Sequence, residues 1–268
     1  MTWVQAFILA LIQGLTEFLP VSSSGHLALF GKILGLKSPD IAFDVVIHLA
    51  TLFAVVFYYR RDIFEIIVSL FNGEKRKESV SDFAKRPFRF LLFGIVATIP
   101  TAVVGLFLKD RIENLHSNLH VVGFCFFLTA LFLFVAWEIQ KKGKSKKLLD
   151  FPLYLPFLIG IAQGLAVLPG ISRSGATITA ALVFGVCAED SAEFSFLLSI
   201  PAILGAFVLE FKDIAGVGIT FPYVIGFFTA LAVGILSIRL VEVVVKKLKL
   251  HYFSFYLIVL AVVSFLIG

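Results

Sequence analysis

The stretch that decides the fold is Gln13-Gly-Leu-Thr-Glu-Phe-Leu-Pro-Val-Ser-Ser-Ser-Gly-His26. It interrupts the apolar segment Thr2–Leu36 with Pro, Gly, a run of Ser and ionisable groups. A second apolar segment, Phe151–Cys187, is interrupted in the same way by Leu168-Pro-Gly-Ile-Ser-Arg-Ser-Gly175. Pro, Gly and Ser clusters of this kind break helices, so each segment is predicted to be two short helices joined by a turn.

The two interrupted segments repeat each other at a constant offset of 150 residues. Six identities within 13 positions make chance a poor explanation. Gln13, Gly14, Leu15, Ser22, Ser24 and Gly25 match Gln163, Gly164, Leu165, Ser172, Ser174 and Gly175.

Composition indicates a protein that lies mostly in lipid. Of the 268 residues 59% are hydrophobic and 15% charged, far from the average of soluble domains. Six further apolar segments are close to the roughly 20 residues that a transmembrane helix needs. We predict crossings at Ile41–Tyr59, Phe90–Leu108, Leu119–Trp137, Asp190–Phe211, Tyr223–Val245 and Tyr252–Ile267.

Basic residues predict the orientation of these crossings. Sixteen of the 23 Lys and Arg fall in three stretches, at Arg60–Arg89, Lys141–Lys147 and Lys246–Lys249. We interpret them as cytoplasmic loops, among which Asn72–Arg86 and Lys141–Lys147 are solvated. The net charge of +5 therefore reports topology, and no nucleic-acid partner is expected. The short connections near Lys109–Leu119 and Lys212–Phe221 then fall outside.

Counting crossings makes both interrupted segments re-entrant hairpins. The predicted fold class is an all-α polytopic membrane protein, with six transmembrane helices and two re-entrant helical hairpins in an inverted-topology internal repeat. The chain is one membrane domain, residues 1–268. Repeat one covers residues 1–140 with its hairpin at 2–36, and repeat two covers 151–268 with its hairpin at 151–187. Non-helical backbone at this depth must be satisfied by protein or water.

Two further expectations concern the N-terminus and the two cysteines. The first basic residue is Lys32, so the N-terminus lacks the charged start of a signal peptide and the first helix is expected to be retained. Cys125 and Cys187 both lie in apolar stretches, where a reduced thiol packs as a small hydrophobe. No disulfide framework is predicted.

Ionisable side chains at membrane depth are the first functional candidates. Glu17, His26 and Arg173 each cost free energy there unless paired or hydrated, and such residues are usually functional. Arg173 offers a planar fork of donors to phosphate oxygens. A helix that begins near Ser174 adds backbone N–H groups and the positive end of its dipole. The alternative is that these groups only hold the two hairpins together.

Neighbouring polar side chains complete a phosphate-binding set. Ser172, Ser174 and Thr177 supply hydroxyl groups around Arg173. Gln13 and Glu17 share a helix face, and Mg²⁺ or Ca²⁺ commonly takes one or two carboxylates and completes its shell with phosphate and water. His26 is the obvious general acid or base within the two motifs.

Other polar residues are treated as supporting or packing groups. Asp44 and His48 lie four residues apart on the next span and could reach the same cavity. Glu193 occupies nearly the matching place in the second half. Arg239 and Glu242 are interpreted as a structural ion pair.

Both motifs together closely resemble the signatures of bacterial undecaprenyl-diphosphate phosphatases, the bacitracin-resistance family. This resemblance rests on two motifs, Gln13-x-x-x-Glu17 with Pro20-Val-Ser-Ser-Ser-Gly-His26, and Pro169-Gly-x-Ser172-Arg173-Ser174-x-x-Thr177. It covers the whole chain in length, span count and motif order. It implies release of the terminal phosphate of undecaprenyl diphosphate and dependence on a divalent cation, Mg or Ca.

The resemblance also implies roles for individual residues. Glu17 would bind the metal with Gln13 beside it, although the family can have Glu where this chain has Gln13. His26 would be the acid or base, Ser23 the nucleophile, and Arg173 a catalytic and phosphate-binding group. The remaining phosphate-binding positions are Ser172, Ser174, Gly175, Thr177, Ser22 and Ser24.

The expected setting is the bacterial cytoplasmic (inner) membrane, with the active site open to the outer, periplasmic side. The expected partners are undecaprenyl diphosphate, membrane lipid and, in a homodimer, a second copy of the chain. A lipid flippase or transporter is the main alternative, since inverted repeats with broken helices are also typical of transporters. A structural scaffold would leave the buried charges unexplained. Direct attack by Ser23 and attack by water that His26 activates both remain open.

Overall fold

The computed structural model describes residues 1–36, 38, 40–72, 82–116, 118–140, 145–214, 216, 218, 220–247 and 249–268. Twelve α-helices lie in these residues. They are α1 Trp3–Thr16, α2 Ser23–Ile33, α3 Ile41–Tyr58, α4 Arg60–Asn72, α5 Asp82–Lys85, α6 Pro87–His116, α7 Leu119–Gln140, α8 Tyr154–Leu165, α9 Arg173–Val183, α10 Ala188–Ile214, α11 Phe221–Lys246 and α12 His251–Ile267. A single 3₁₀ turn, Leu148–Asp150, precedes α8.

The chain is a multi-pass membrane protein. All six predicted crossings are helical, as α3, α6, α7, α10, α11 and α12. Five of these helices are long and apolar enough to cross a membrane, and the sixth, α12, is apolar but has 17 residues. Large apolar side chains such as Phe57, Phe124 and Leu236 point outward, which suits a lipid solvent and not water. Cys125 and Cys187 are free thiols, as predicted.

One predicted connection was wrong. Helix α6 continues to His116, well beyond the predicted end at Leu108, so most of the predicted connection Lys109–Leu119 is helical. The reason is local: no Pro or Gly occurs between Phe107 and His116 to stop the helix. Helix α10 ends at Ile214, close to the approximate predicted end at Phe211.

The predicted solvated loop Asn72–Arg86 is packed at its end. Helix α5 buries Phe83, whose ring stacks on Phe90. Asp82 pairs with Lys85 and Lys147, and these hydrogen bonds lower the pKa of Asp82 to about 2. The rest of this prediction, at 73–81, and the 141–144 part of the other basic loop lie outside the described residues.

Both interrupted segments form two helices with a break between them, as predicted. The first is α1 and α2, and the second is α8 and α9. The same capping arrangement starts α2 and α9: Ser22 Oγ accepts from the Gly25 N–H, and Ser172 Oγ accepts from the Gly175 N–H. An N-cap serine satisfies one of the free N–H groups at a helix start. The offset of 150 residues therefore corresponds to repeated local structure.

Helix packing also repeats between the halves. Helix α1 packs on α11 and α8 packs on α6, while α3 contacts α11 and α10 contacts α6. Glycines of the repeated Gln-Gly-Leu triplet permit this close packing. A Cβ on Gly14 would lie 2.8 Å from Val233 Cβ on α11, and one on Gly164 would lie 3.0 Å from Val104 Cγ2 on α6. Exchanging the halves therefore reproduces these helix contacts.

The two breaks meet each other inside the protein. Ser174 Oγ donates a hydrogen bond of 3.1 Å to the Leu19 carbonyl, from the start of α9 to the first break. A Cβ on Gly25 would lie 2.9 Å from Gly170 Cα, and Gly170 has a φ of +98°. Only glycine adopts that backbone readily and leaves room for the approach. This contact places the polar side chains of both breaks in one region.

Candidate functional site

A buried ion pair joins the two breaks. Glu17 follows the last residue of α1, and Arg173 is the first residue of α9. Arg173 Nη2 donates to Glu17 Oε1 at 2.6 Å, and the two side chains are 15% and 6% exposed. A charge-assisted bond of this length is strong. Two residues that the sequence places 156 positions apart therefore share one site.

Three more groups surround the Glu17 carboxylate. Ser23 Oγ donates to Glu17 Oε2 at 2.5 Å, and Gln13 Nε2 donates to the same oxygen at 3.0 Å. Gln13 is fully buried, yet its Oε1 has no hydrogen-bond partner among the described residues. A buried polar atom without a partner is costly. Gln13 Oε1 is therefore a candidate ligand-binding atom.

His48 reaches this site from α3. Its Nε2 lies 3.8 Å from Glu17 Oε2, and its Nδ1 lies 2.7 Å from the Asp44 carbonyl oxygen one turn earlier. The side chain is 32% exposed. His48 was predicted to be a supporting or packing residue that could reach the cavity. The structure places its ring beside the carboxylate.

His26 lies beyond the Ser run and faces another way. Its Nδ1 is 2.7 Å from the Ser22 carbonyl oxygen, and its Nε2 is 2.8 Å from the Tyr256 hydroxyl of α12. The residue is 2% exposed and its ring contacts Phe126 edge-on. Since Nδ1 must donate to the carbonyl, Nε2 accepts from Tyr256. Both nitrogens are engaged away from the Glu17 carboxylate, and the ring braces the turn at Ser22.

That turn carries the strained backbone of the site. Ser22 has a φ of +67°, the only positive φ at a non-glycine residue in the described part of the chain. Such backbone costs free energy and persists only where the surroundings hold it. The bonds to His26 and to the Gly25 N–H provide that support. The consequence is an exact placement of Ser23, the next residue, against Glu17.

The remaining predicted phosphate-binding hydroxyls lie around Arg173 but are internally bonded. Ser172 Oγ and Ser174 Oγ are 3.2 Å apart, and Ser22 Oγ and Ser24 Oγ are 3.3 Å apart. Thr177 Oγ1 is 2.6 Å from Ser195 Oγ. These bonds hold the starts of α2 and α9. Both helix N-termini therefore open close to the ion pair, where their free N–H groups favour an anion.

Several supporting residues were missed by the sequence analysis. Thr129 Oγ1 donates to the Gly170 carbonyl and accepts from the Ser172 N–H. The Ser195 carbonyl accepts from Arg173 Nη1 at 3.4 Å. Tyr256 holds His26. These residues lie on other helices and carry no motif signal, so only the tertiary structure reveals them.

Two polar groups predicted as supporting residues lie elsewhere. Glu242 accepts from the hydroxyls of Tyr58 and Tyr59 at 3.0 and 2.6 Å. Glu193 Oε1 is buried without a hydrogen-bond partner in the described region. Within the described residues neither side chain hydrogen-bonds to Glu17, so the candidate site stays where the two breaks meet.

A divalent cation fits the residues around Glu17, provided that the substrate and water complete its shell. The described residues contain no group of three or more His, Cys, Asp or Glu side chains that could hold a metal. They do supply one carboxylate and the unpaired Gln13 Oε1. Mg²⁺ is often bound through one or two carboxylates together with phosphate oxygens and water.

Comparisons with known proteins agree across the length of the chain. A family model described as bacitracin resistance protein BacA matches residues 6–263. An undecaprenyl-diphosphatase of Carboxydothermus hydrogenoformans is 43% identical over 96% of this chain and 94% of its own. An undecaprenyl-diphosphatase of Methanococcus vannielii is 41% identical, covering 94% and 95%. Undecaprenyl-diphosphatase 1 of Bacillus cereus is 37% identical, covering 96% and 94%.

The His26 contacts generate a prediction for Tyr256→Phe. This change removes the bond to Nε2 and keeps the ring contacts, so it should lower thermal stability by about 1 kcal/mol. Phosphate release from a lipid diphosphate should stay near the wild-type rate, because Glu17 and Ser23 are untouched. Melting in detergent and a phosphate-release assay measure the two effects, with Tyr252→Phe on the same helix as the control.

A different result would assign His26 another role. If Tyr256→Phe abolished phosphate release while the protein kept its wild-type melting temperature, the protonation of His26 would be part of the chemistry.

Proposed function

This chain belongs to the bacitracin resistance protein BacA family, and from that membership and its site we infer that it is an undecaprenyl-diphosphatase. It is a membrane phosphatase that hydrolyses undecaprenyl diphosphate to undecaprenyl phosphate and inorganic phosphate. The observation that best supports this function is the Glu17 carboxylate, which accepts hydrogen bonds from Arg173 and Ser23 at 2.6 and 2.5 Å inside the protein. Glu17 can accept a proton, Ser23 can act as a nucleophile, and the positively charged Arg173 can bind phosphate.

Ser23 is the proposed nucleophile and Glu17 its proton acceptor. The Ser23 Oγ–H already points at Glu17 Oε2. Attack forms a bond between Oγ and the terminal phosphorus and breaks the bond from that phosphorus to the bridging oxygen. The Ser23 proton passes to Glu17, and undecaprenyl phosphate leaves. Water then hydrolyses the phosphoserine, which releases inorganic phosphate and restores the Ser23 hydroxyl. Such an adjacent base is the usual way to activate a hydroxyl nucleophile.

Arg173 and the two helix N-termini bind the transferred phosphate. In the structure the guanidinium is held by Glu17, whose carboxylate occupies a position that a phosphate oxygen can take. A bound diphosphate would share the Arg173 fork with Glu17. Preorganised donors of this kind stabilise the charge that spreads over the phosphoryl oxygens during transfer. Positioning and electrostatics therefore supply most of the catalysis.

Glu17 and Gln13 would hold the divalent cation, Mg²⁺ or Ca²⁺. When bound, it neutralises charge on the phosphate oxygens. The support from this chain is the carboxylate together with the buried, unpaired Gln13 Oε1. Gln13 is neutral, so Glu17 is the single negative charge in this set.

The fold proposed for this enzyme has six crossings and two re-entrant hairpins in an inverted repeat. The two halves make equivalent helix contacts, since α1 packs on α11 as α8 packs on α6, and this equivalence supports an inverted repeat. Each half has an odd number of crossings, so the halves would lie in opposite orientations. The basic loops place the first hairpin on the outer side, and the site would open there. Its product would return to the lipid carrier pool for peptidoglycan synthesis.

Conservative changes in the ion pair test the site. Glu17→Gln keeps the shape and removes the proton acceptor, so phosphate release should fall by roughly 10²–10⁴-fold. Arg173→Lys keeps the charge and loses the planar fork, so its phosphate release should fall by roughly 10²-fold. Release from purified protein on undecaprenyl diphosphate in detergent is the measurement.

Matched controls separate chemistry from folding in this experiment. Glu65→Gln and Arg61→Lys, at an exposed arginine of α4, make the same substitutions outside the site and should keep wild-type release. Size-exclusion profiles must show folded protein for every variant, and the melting temperatures of the two controls should stay unchanged. Wild-type turnover in folded Glu17→Gln or Arg173→Lys would refute the site.

The phosphoserine step is tested by trapping. Substrate labelled in its terminal phosphate should leave radiolabel on Ser23 after an acid quench at early times, because the covalent bond survives denaturation. Ser23→Ala should show neither label nor turnover. Ser191→Ala removes a buried hydroxyl that donates only to the Cys187 carbonyl, and it should keep both. Absence of label from wild-type protein during active turnover would favour direct attack by water.

A further inference from the structure

We propose that His48 is a nitrogen ligand of the divalent cation at this site and makes the site prefer a first-row transition ion, such as Mn²⁺, over Ca²⁺. The proposal rests on the proposed function, since the cation is the one expected beside Glu17. It concerns the ligand set, and so it is tested without substrate.

The ring nitrogens of His48 have different roles. Nδ1 lies 2.7 Å from the Asp44 carbonyl oxygen, which can only accept, so Nδ1 carries a proton. Nε2 then presents its lone pair on the side that faces Glu17. A metal-bound histidine commonly donates its other N–H to a backbone carbonyl in this way, which fixes the ring orientation. The fold therefore presents the imidazole in the form that binds metals.

The distance to Glu17 fits a shared ion better than a hydrogen bond. Nε2 and Oε2 are 3.8 Å apart, whereas N–H···O bonds measure about 2.7–3.2 Å. Metal bonds to imidazole nitrogen and carboxylate oxygen are each about 2.0–2.2 Å, so both atoms can reach one ion. Oε2 already accepts from Ser23 and Gln13.

Gln13 can supply a further ligand to the same ion. Its Nε2 lies 3.0 Å from Glu17 Oε2, while its Oε1 is buried without a partner in the described part of the chain. Rotation of the amide by half a turn would exchange these atoms and bring Oε1 beside Glu17 Oε2, the oxygen that His48 Nε2 faces. The amide has nearly the same shape in both orientations. The ligand set is then one carboxylate, one imidazole and one amide oxygen.

The ligand types set the ion preference. Ca²⁺ takes six to eight oxygen ligands, whereas imidazole nitrogen suits transition ions. Mn²⁺ also accepts oxygen ligands, but an imidazole nitrogen is a donor that Mn²⁺ uses better than Ca²⁺ does. The nitrogen ligand from His48 therefore shifts the relative affinity of the site towards Mn²⁺.

Mn²⁺ binding to purified protein in detergent, without lipid substrate, tests the proposal. Pulsed electron paramagnetic resonance of the wild-type complex should show coupling to a nitrogen nucleus, and His48→Gln should lose it. The Kd for Mn²⁺ should rise by roughly tenfold or more in His48→Gln, since loss of even an outer-shell partner has that effect. The excess of Ca²⁺ needed to displace Mn²⁺ should fall. His120→Gln, at an exposed histidine of α7, should change none of these.

Each contrary result overturns the proposal. Wild-type protein that binds Mn²⁺ without nitrogen coupling, that binds no Mn²⁺ at millimolar concentration, or whose coupling persists in His48→Gln has no His48 ligand. The wild-type spectrum decides even if His48→Gln fails to fold. Phosphate release with intact Glu17 dependence would leave the proposed function standing in each case.

Discussion

The buried pair of Glu17 and Arg173 is the interaction on which the site depends. Each charge alone would cost several kcal/mol inside a membrane protein, and removing one partner of such a pair leaves the other uncompensated. Glu17 begins the first break and Arg173 comes directly after the second, so the pair exists only because those breaks meet. Packing of Gly25 against Gly170 permits that meeting. Fold and chemistry therefore share one constraint.

The repeat separates residues that build the fold from residues that carry chemistry. Positions identical at the offset of 150 are the Gln-Gly-Leu triplets, the Ser caps and the Gly that follows them. Positions that differ hold the groups of the proposed site: Glu17 corresponds to Val167, and Ser23 to Arg173. The second half thus contributes the phosphate-binding cation, and the first contributes the carboxylate and the hydroxyl. The repeated scaffold therefore carries an asymmetric site.

The sequence predicted the helices and the meeting of motifs, but not the direction of side chains. Apolar length and breaker residues were enough for the six long helices and for both breaks, because local chemistry decides them. The continuation of α6 to His116 was missed because its charged end lies beyond the apolar segment. The motifs singled out His26 as the acid or base and left His48 as a supporting residue. In the structure the Tyr256 hydroxyl bonds the His26 ring, whereas the Asp44 carbonyl bonds the His48 ring so that its Nε2 faces Glu17. Such contacts come from distant helices and leave no trace in a motif.

Cross-linking the two breaks tests their meeting most directly. A Cβ on Gly175 would lie 3.4 Å from Pro20 Cβ, close to the separation that a disulfide needs. Pro20→Cys with Gly175→Cys, in a chain without Cys125 and Cys187 and with a protease site after Gln140, should keep the cleaved halves joined until reductant is added. Pro20→Cys with Gly105→Cys should not. Halves that separate equally in both proteins would contradict a shared site.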